Sequence, residues 1–306
     1  MVHFEGEEGI DSGGLTKDMA IEVSRALGTR NSPFLMRTPD GTLEIKSYMQ
    51  YCAAFGESKI SGEEMMDETE FVSAFHQIGK LLGKPEGDKE YCYYSVPAAP
   101  IDNPDKDVIY HRRLFERVIS DCGFVPVASN EAMSIIYSQT AKESFSGLAL
   151  SFGSGMTNIA LSNLAIECLS FSVEHGGDWI DQGAARSVGS TAANVCATKE
   201  SGIDLLDPQG RVEEALSFYY KELIEYVLGI VAKEFKSKQL SMNIQKPLPI
   251  VVSGGTSLAG NFLEFFADVF DQNADKFPFE VSEIRHADNP LNAVANGLLI
   301  QAMQEE

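Results

Sequence analysis

The sequence predicts an α/β fold, and three observations carry that prediction. Two glycine-rich turns, about a hundred residues apart, each follow an apolar strand. In the first, Leu148-Ala149-Leu150-Ser151-Phe152 runs into Gly153-Ser154-Gly155-Met156 and out through Thr157-Asn158-Ile159-Ala160-Leu161; in the second, Pro249-Ile250-Val251-Val252-Ser253 runs into Gly254-Gly255-Thr256. Strand-like runs alternate with helical patterns along the chain. Residues 147–152, 157–162 and 166–173 read as three successive strands, a meander. No tandem repeat at a period of 20–50 residues is evident.

The first element is a glycine turn over 9–21, between two short apolar stretches, although 21–27 reads equally as a helix. Residues 38–70 are polar and contain Pro39-Asp40-Gly41, a turn signal, so this stretch reads as a small surface subdomain. Phe71, Val72, Phe75, Ile78, Leu81 and Leu82 have helical spacing over 70–82. A short strand over 91–96 ends at Pro97, an amphipathic helix covers 111–122, and 124–128 is the next strand. A helix over 130–138 leads into the meander. The longest helical pattern covers 212–235, with Leu216, Tyr219, Tyr220, Leu223, Tyr226, Val227 and Ile230 on one stripe. Residues 250–252 form a buried strand, 262–270 a helix, 279–281 a strand and 291–303 the closing helix.

The chain has 306 residues, enough for two domains, and its 44% hydrophobic and 23% charged residues are an ordinary globular mix. A net charge of −21 repels nucleic-acid phosphates and anionic lipid, so neither is expected as a partner by bulk attraction. Cys52, Cys92, Cys122, Cys168 and Cys196 lie far apart and form no CxxC pair, which fits reduced thiols in a cytoplasmic protein better than disulfides or zinc. The first residues have no signal-peptide pattern, and no run is long enough to cross a bilayer.

Glycine lets a backbone adopt positive φ and approach a ligand closely, and successive amides in such a turn make an anion-binding nest. One strand–glycine–strand turn is also how a hairpin closes. Two together point to a nucleotide.

In order, these segments resemble the actin-like ATPase superfamily, which includes actin, the MreB and ParM filaments, FtsA, DnaK-type chaperones and sugar kinases. Gly9 to Thr16 resembles its first phosphate loop, Glu131 to Tyr137 its first connecting helix and Leu150 to Thr157 its second phosphate loop. His175-Gly176-Gly177-Asp178-Trp179-Ile180-Asp181 resembles the Gly-Gly-Asp-x-x-Asp element that follows in MreB. Lys199-Glu200 resembles a pair near the ribose, Gly254-Gly255-Thr256 the adenosine motif, and Asn289 to Gly297 the second connecting helix. The resemblance covers nearly the whole chain and implies a two-lobed, ribonuclease H-like α/β fold with ATP or ADP and Mg²⁺ between the lobes. Lobe I would span residues 1–140, with a small subdomain at about 34–70, and lobe II 141–306, with an insertion at about 182–248.

The resemblance also implies site roles. Asp11 would hold the metal through water, as suits Mg²⁺, and Glu131 would position the attacking water. Gly13, Gly14, Leu15, Thr16 and Lys17, Gly153, Ser154, Gly155 and Met156, Gly176, Gly177 and Asp178, Lys199 and Glu200, and Gly254, Gly255 and Thr256 would line the nucleotide. Residue-level readings stand beside these: Asp11 as a turn aspartate, Glu131 as an acid at a helix N-terminus, Asp178 as an N-cap, Lys199 and Glu200 as a solvated charge pair. His175 and Trp179 read as structural. Ser151 departs from the family, which usually opens this loop with Asp. Either another acid compensates, or hydrolysis is slow, or nucleotide is bound without turnover. The implied function is an MreB- or ParM-type filament ATPase that polymerises head to tail, with an adaptor or cargo the sequence does not name and no direct nucleic-acid partner or membrane anchor. A nucleotide-regulated scaffold, a chaperone-like ATPase and a small-molecule kinase are the alternatives.

Overall fold

The structure, a computed structural model, describes residues 35–37, 43–45, 84–87, 89–103, 108–238, 246–277 and 279–304, with positions 82 and 244. The expected turn over 9–21, most of the 38–70 subdomain and the body of the 70–82 helix lie outside the described residues. The chain divides into two compact units. One holds, of the described residues, those up to Cys92 together with Phe115–Pro126; the other holds Tyr93–Leu114 and everything from Val127.

In the first unit, β1 (Leu35–Arg37) and β2 (Leu43–Ile45) pair antiparallel, Leu35 opposite Ile45. Next along the chain come β3 (Tyr91–Val96), α1 (Ile109–Asp121) and β4 (Val125–Asn130), each of which contributes residues to both units, with β3 and β4 paired as a two-stranded sheet. The second unit continues with α2 (Glu131–Gln139), β5 (Gly147–Phe152), β6 (Thr157–Asn163) and β7 (Ile166–Val173). It is completed by α3 (Gly177–Val188), α4 (Ala192–Glu200), α5 (Gly210–Lys238), β8 (Leu248–Ser253), α6 (Phe262–Asp271), β9 (Val281–His286) and α7 (Ala293–Gln304).

Its five-stranded sheet has the order β7-β6-β5-β8-β9. The meander β5-β6-β7 is antiparallel, while β8 and β9 run parallel to β5. All of β5 and β8 are buried, as strands covered on both faces must be. Alternation along β5 assigns the two faces. Leu148, Leu150 and Phe152 join Ile180, Leu216, Tyr220, Phe262 and Phe266 in a core built with α3, α5 and α6. Ala149, Ala160 and Val251 face the other way, against Ala132, Ile135 and Ile136 of α2 and Ala293 of α7.

The second turn does not close a hairpin: after Gly254 the chain takes a 3₁₀ turn over Gly255–Leu258 and enters α6. The strand expected at 279–281 instead begins at Val281 and runs to His286. Of the residues that prompted the expectation, Phe279 packs 5.2 Å from the Phe235 ring ahead of the strand and Val281 opens it, while the strand itself is mostly polar on a sheet edge.

Where α2 and α7 cross, a Cβ on Gly297 would overlap the Ser134 carbonyl. Gly229 of α5, by contrast, is exposed with open space around it. Gly297→Ala should cost about 2–3 kcal/mol by overpacking, whereas Gly229→Ala should add about 0.5–1 kcal/mol, read from urea unfolding. Equal effects at the two positions would contradict the crossing.

Candidate functional site

The site is built at the end of the sheet where β5 and β8 finish. The turn between β5 and β6 closes with the Gly153 amide donating to the Met156 carbonyl at 3.0 Å. Helix α3 docks its N-terminus on this turn: the Gly177 amide donates to Gly153 O at 2.9 Å and the Asp178 amide to Ser154 O at 2.8 Å. Helix N-termini carry unsatisfied amides, and here the turn supplies two acceptors. The approach requires glycine, since a Cβ on Gly176 would lie 2.8 Å from the Met156 amide and overlap the Gly153 and Ser154 carbonyls. A Cβ on Gly177 would lie 2.7 Å from Thr256 Oγ1 and 3.1 Å from Lys199 Nζ.

The second turn joins the same cluster. Thr256 Oγ1 donates to Gly153 O at 2.9 Å, and the buried Tyr220 hydroxyl donates to Thr256 O at 3.1 Å. Burial pushes the Tyr220 phenol well up, so it stays a donor. Gly254 has φ +93°, and a Cβ there would overlap the Phe152 backbone. The glycines therefore fall into two kinds. Gly153, Gly176, Gly177 and Gly254 allow segments to pack, whereas Gly155 has nothing within 4 Å of the position a Cβ would take.

Lys199 on α4 ion-pairs with Asp181 on α3 at 2.7 Å, the side chains 13% and 5% exposed, and also reaches Gly177 O at 3.4 Å. The pair expected at Lys199-Glu200 thus splits: Lys199 is drawn inward and Glu200 is exposed. Asp178 is exposed in the first turn of α3, and the N-cap is Gly176, not Asp178. Cys196, on α4 beside this pair, has its thiol pushed up to about 12 by burial and then by Asp181. Cys92, Cys122, Cys168 and Cys196 are all free thiols.

Glu131 opens α2 after Asn130, whose side chain caps the helix by accepting from the Met133 amide at 3.0 Å. Ser151 Oγ donates to Glu131 Oε1 at 2.8 Å, and Asn158 Nδ2 donates to Oε2 at 3.1 Å. Ser151 and Asn158 are register partners on β5 and β6, so they share a face. The same row continues to Ser172 on β7 and Ser253 on β8, giving four buried polar residues across four adjacent strands. Ser172 Oγ donates to Ala98 O and Ser253 Oγ to Pro290 O, each at 2.8 Å. Burial pushes the Glu131 carboxyl above the ordinary carboxylate value, with the Ser151 hydrogen bond opposing it.

A strap over 98–102 lies along β7. The Ile101 amide donates to Ser172 O at 3.0 Å, and Asp102 accepts from the Glu174 amide at 2.9 Å, His175 Nδ1 at 3.1 Å and the Tyr226 hydroxyl at 2.9 Å. Burial alone would raise Asp102, but the bonds from the Glu174 amide, Tyr226 and His175 outweigh it and hold its carboxyl below the ordinary range. His175 packs against Tyr226 and Trp179 at 4.6 and 5.1 Å, the structural role expected of His175 and Trp179. Asp11, Gly13, Gly14, Leu15, Thr16 and Lys17 lie outside the described residues.

The sequence profile of one family, Volactin, matches residues 53–302, most of the chain. The chain belongs to the Volactin family. Comparison with curated proteins gives no match. Among solved structures, MreB5 of Spiroplasma citri bound to ADP is 13% identical, the match covering 89% of this chain and 88% of that one, with a TM-score of 0.55. The MamK double helical filament is 14% identical over 89% and 95%, TM-score 0.56, and a non-polymerising MamK mutant bound to AMPPNP is 13% identical over 88% and 95%, TM-score 0.52. These likenesses establish the fold, which is that of the two-lobed actin-like ATPases.

The Volactin-family chain brings together the β5–β6 turn, the Gly176–Asp178 corner, Lys199 and the Gly254–Thr256 turn. Sequence reading missed Asp181 as the partner of Lys199, Asn158 as the second donor to Glu131, and the Asp102 strap. The only signal for Asn158 was its place among apolar residues at the register of Ser151. The residues fit a nucleotide in one respect: Gly155 leaves space where a ligand can approach the backbone. Among the described residues no group of three His, Cys, Asp or Glu is placed to hold a metal.

The Glu131 environment sets a pH dependence. Its folded-state value is raised, so its stabilising contribution is complete below the ordinary carboxylate value and is lost as pH rises through the raised value. Glu131→Gln does not titrate. Its stability relative to wild type should therefore improve as pH rises above the ordinary carboxylate value, read from urea unfolding. A flat or opposite slope would contradict the buried, hydrogen-bonded carboxylate.

Proposed function

We propose that this chain is an actin-like, MreB- or ParM-type nucleotide-binding protein that binds ATP or ADP and assembles head to tail into a cytoplasmic filament. The observation that carries the reading is the convergence of the β5–β6 turn, the α3 N-terminus and the Gly254–Thr256 turn, with Gly155 left open. Gly153 to Met156 would lie against phosphate, and Gly254, Gly255 and Thr256 against adenosine, with Lys199 and Glu200 on the ribose side. Gly176, Gly177 and Asp178 would hold the corner between them. Gly13 to Lys17 would complete the phosphate contacts from lobe I, the lobes dividing near residue 140. Mg²⁺, held by Asp11 through water, would neutralise phosphate charge.

Phosphoryl transfer needs positioning and charge neutralisation more than covalent chemistry, so one polar group aimed at a water is sufficient. Glu131 has that role in this reading. Ser151 withholds the second carboxylate, which gives slow hydrolysis. That same observation favours a second reading, a scaffold regulated by bound nucleotide without turnover. A contact that joins unlike faces and does not close produces a filament, and an adaptor or cargo would connect it to its process. No helix among the described residues is long and apolar enough to cross a membrane.

ATP at a hundredfold over its Kd should stabilise the fold by about 2.7 kcal/mol, a rise in Tm of about 5 °C. Gly155→Val should abolish that rise while leaving the unliganded Tm within a few degrees, because Gly155 is exposed and the space at its Cβ position is open. An unchanged ATP shift in the folded variant would remove the turn from the site. Sedimentation with ATP should pellet the wild type; ATP binding without pelleting would favour the scaffold.

A further inference from the structure

The four buried polar residues Ser172, Asn158, Ser151 and Ser253 cross four strands of the sheet in one register row, on the face that meets α2. Burying such groups is costly unless each finds a partner. Ser172 and Ser253 spend their hydroxyls on backbone carbonyls. Ser151 donates its hydroxyl and Asn158 its side-chain amide to Glu131, one to each carboxylate oxygen.

Asn158 is fixed for this task on every side. Its backbone is held between β5 and β7 by pairing with Ser151 and Ser172. Its Oδ1 accepts from the Ala98 amide at 3.2 Å, which leaves Nδ2 as the group facing Glu131. An ionised carboxylate only accepts, so this amide orientation is the one that satisfies both ends. The residue is 2% exposed, so water does not compete for the contact.

We propose that Asn158 is a positioning residue for Glu131, forming with Ser151 a seat of two neutral donors that orients one carboxylate at the N-terminus of α2 and favours its ionised form. The proposal rests on the nucleotide-hydrolysing reading for its effect on turnover, but the seat itself does not depend on it. Hydrogen bonds to a charged acceptor are stronger than neutral ones and favour the charged state. Aspartate at either donor position would place a second negative charge about 3 Å from the first, and two carboxylates at that distance do not both ionise readily. Ser151 is thus more than a lost acid: with Asn158 it reserves the pocket for a single carboxylate.

The test measures Asn158→Ala and Asn158→Asp in the full chain with two readouts. The first is the titration of the Glu131 carboxyl carbon by NMR in nucleotide-free protein. Its midpoint should rise in both variants, more in Asn158→Asp. The second is ATP turnover, which should fall about ten- to a hundredfold, the scale of misplacing a reacting group, with ATP affinity retained. Asn158→Ala only removes atoms, so it carries the test if the Asp variant does not fold. A midpoint unchanged in folded Asn158→Ala overturns the proposal, and so does a loss of turnover without a titration shift, which is a packing effect. A midpoint that rises while the wild type hydrolyses no ATP supports the seat and removes the ATPase reading instead.

Discussion

The docking of α3 onto the β5–β6 turn is the constraint on which the site depends. Two helix amides, from Gly177 and Asp178, are donated to two turn carbonyls, Gly153 and Ser154. The contact works only because Gly176 and Gly177 have no Cβ to separate the segments. It fixes the first turn of α3, and with it Asp181, which draws Lys199 inward from α4. It also leaves Gly153 O placed to accept from Thr256, which ties the end of β8 to the end of β5. One helix terminus thus aligns three segments far apart in sequence. The same α3 docking keeps two helix-terminal amides from being buried without acceptors.

Electrostatics in this unit follow from the sheet. On the face toward α3, α5 and α6 the strands present large apolar residues, and the core is continuous. On the face toward α2 and α7 they present small ones, Ala149 and Ala160, so those helices pack close. At the end of that second face the small residues become polar, and the row from Ser172 to Ser253 meets Glu131. Asp102 and Glu131 show how partners decide the sign of a shift. Both are partly buried, but Asp102 gains three donors, one of them a backbone amide accepted by both oxygens, and is held low, whereas burial outweighs the donors to Glu131 and it is pushed up.

Much of the second unit was legible because its patterns are local. The meander strands and the α5 stripe are set by apolar periodicity, and observed boundaries for β5 and β7 coincide with those expected. The glycine turns were legible as backbone features, but which glycines pack and which stay open depends on neighbours from other segments. β9 was misplaced because Phe279 serves the core rather than a strand and the mostly polar run after Val281 carries the strand. Lys199 reads as a surface charge until α3 brings Asp181 to it. Asn158 is one residue among apolar neighbours, and its role exists only when β6 lies beside β5 and α2 begins above them. Pairings across elements were the part that local patterns did not encode.

The central claim is that the β5–β6 turn, the Gly176–Asp178 corner and the Gly254–Thr256 turn form one nucleotide site. Hydrogen exchange of the backbone amides with and without Mg-ATP tests it most directly. The account predicts that protection rises together in residues 153–157, 176–178 and 254–257, while the buried middle of α5 is unaffected beyond the general gain in stability. Protection confined to other segments, with these three unchanged at saturating ATP, would contradict it.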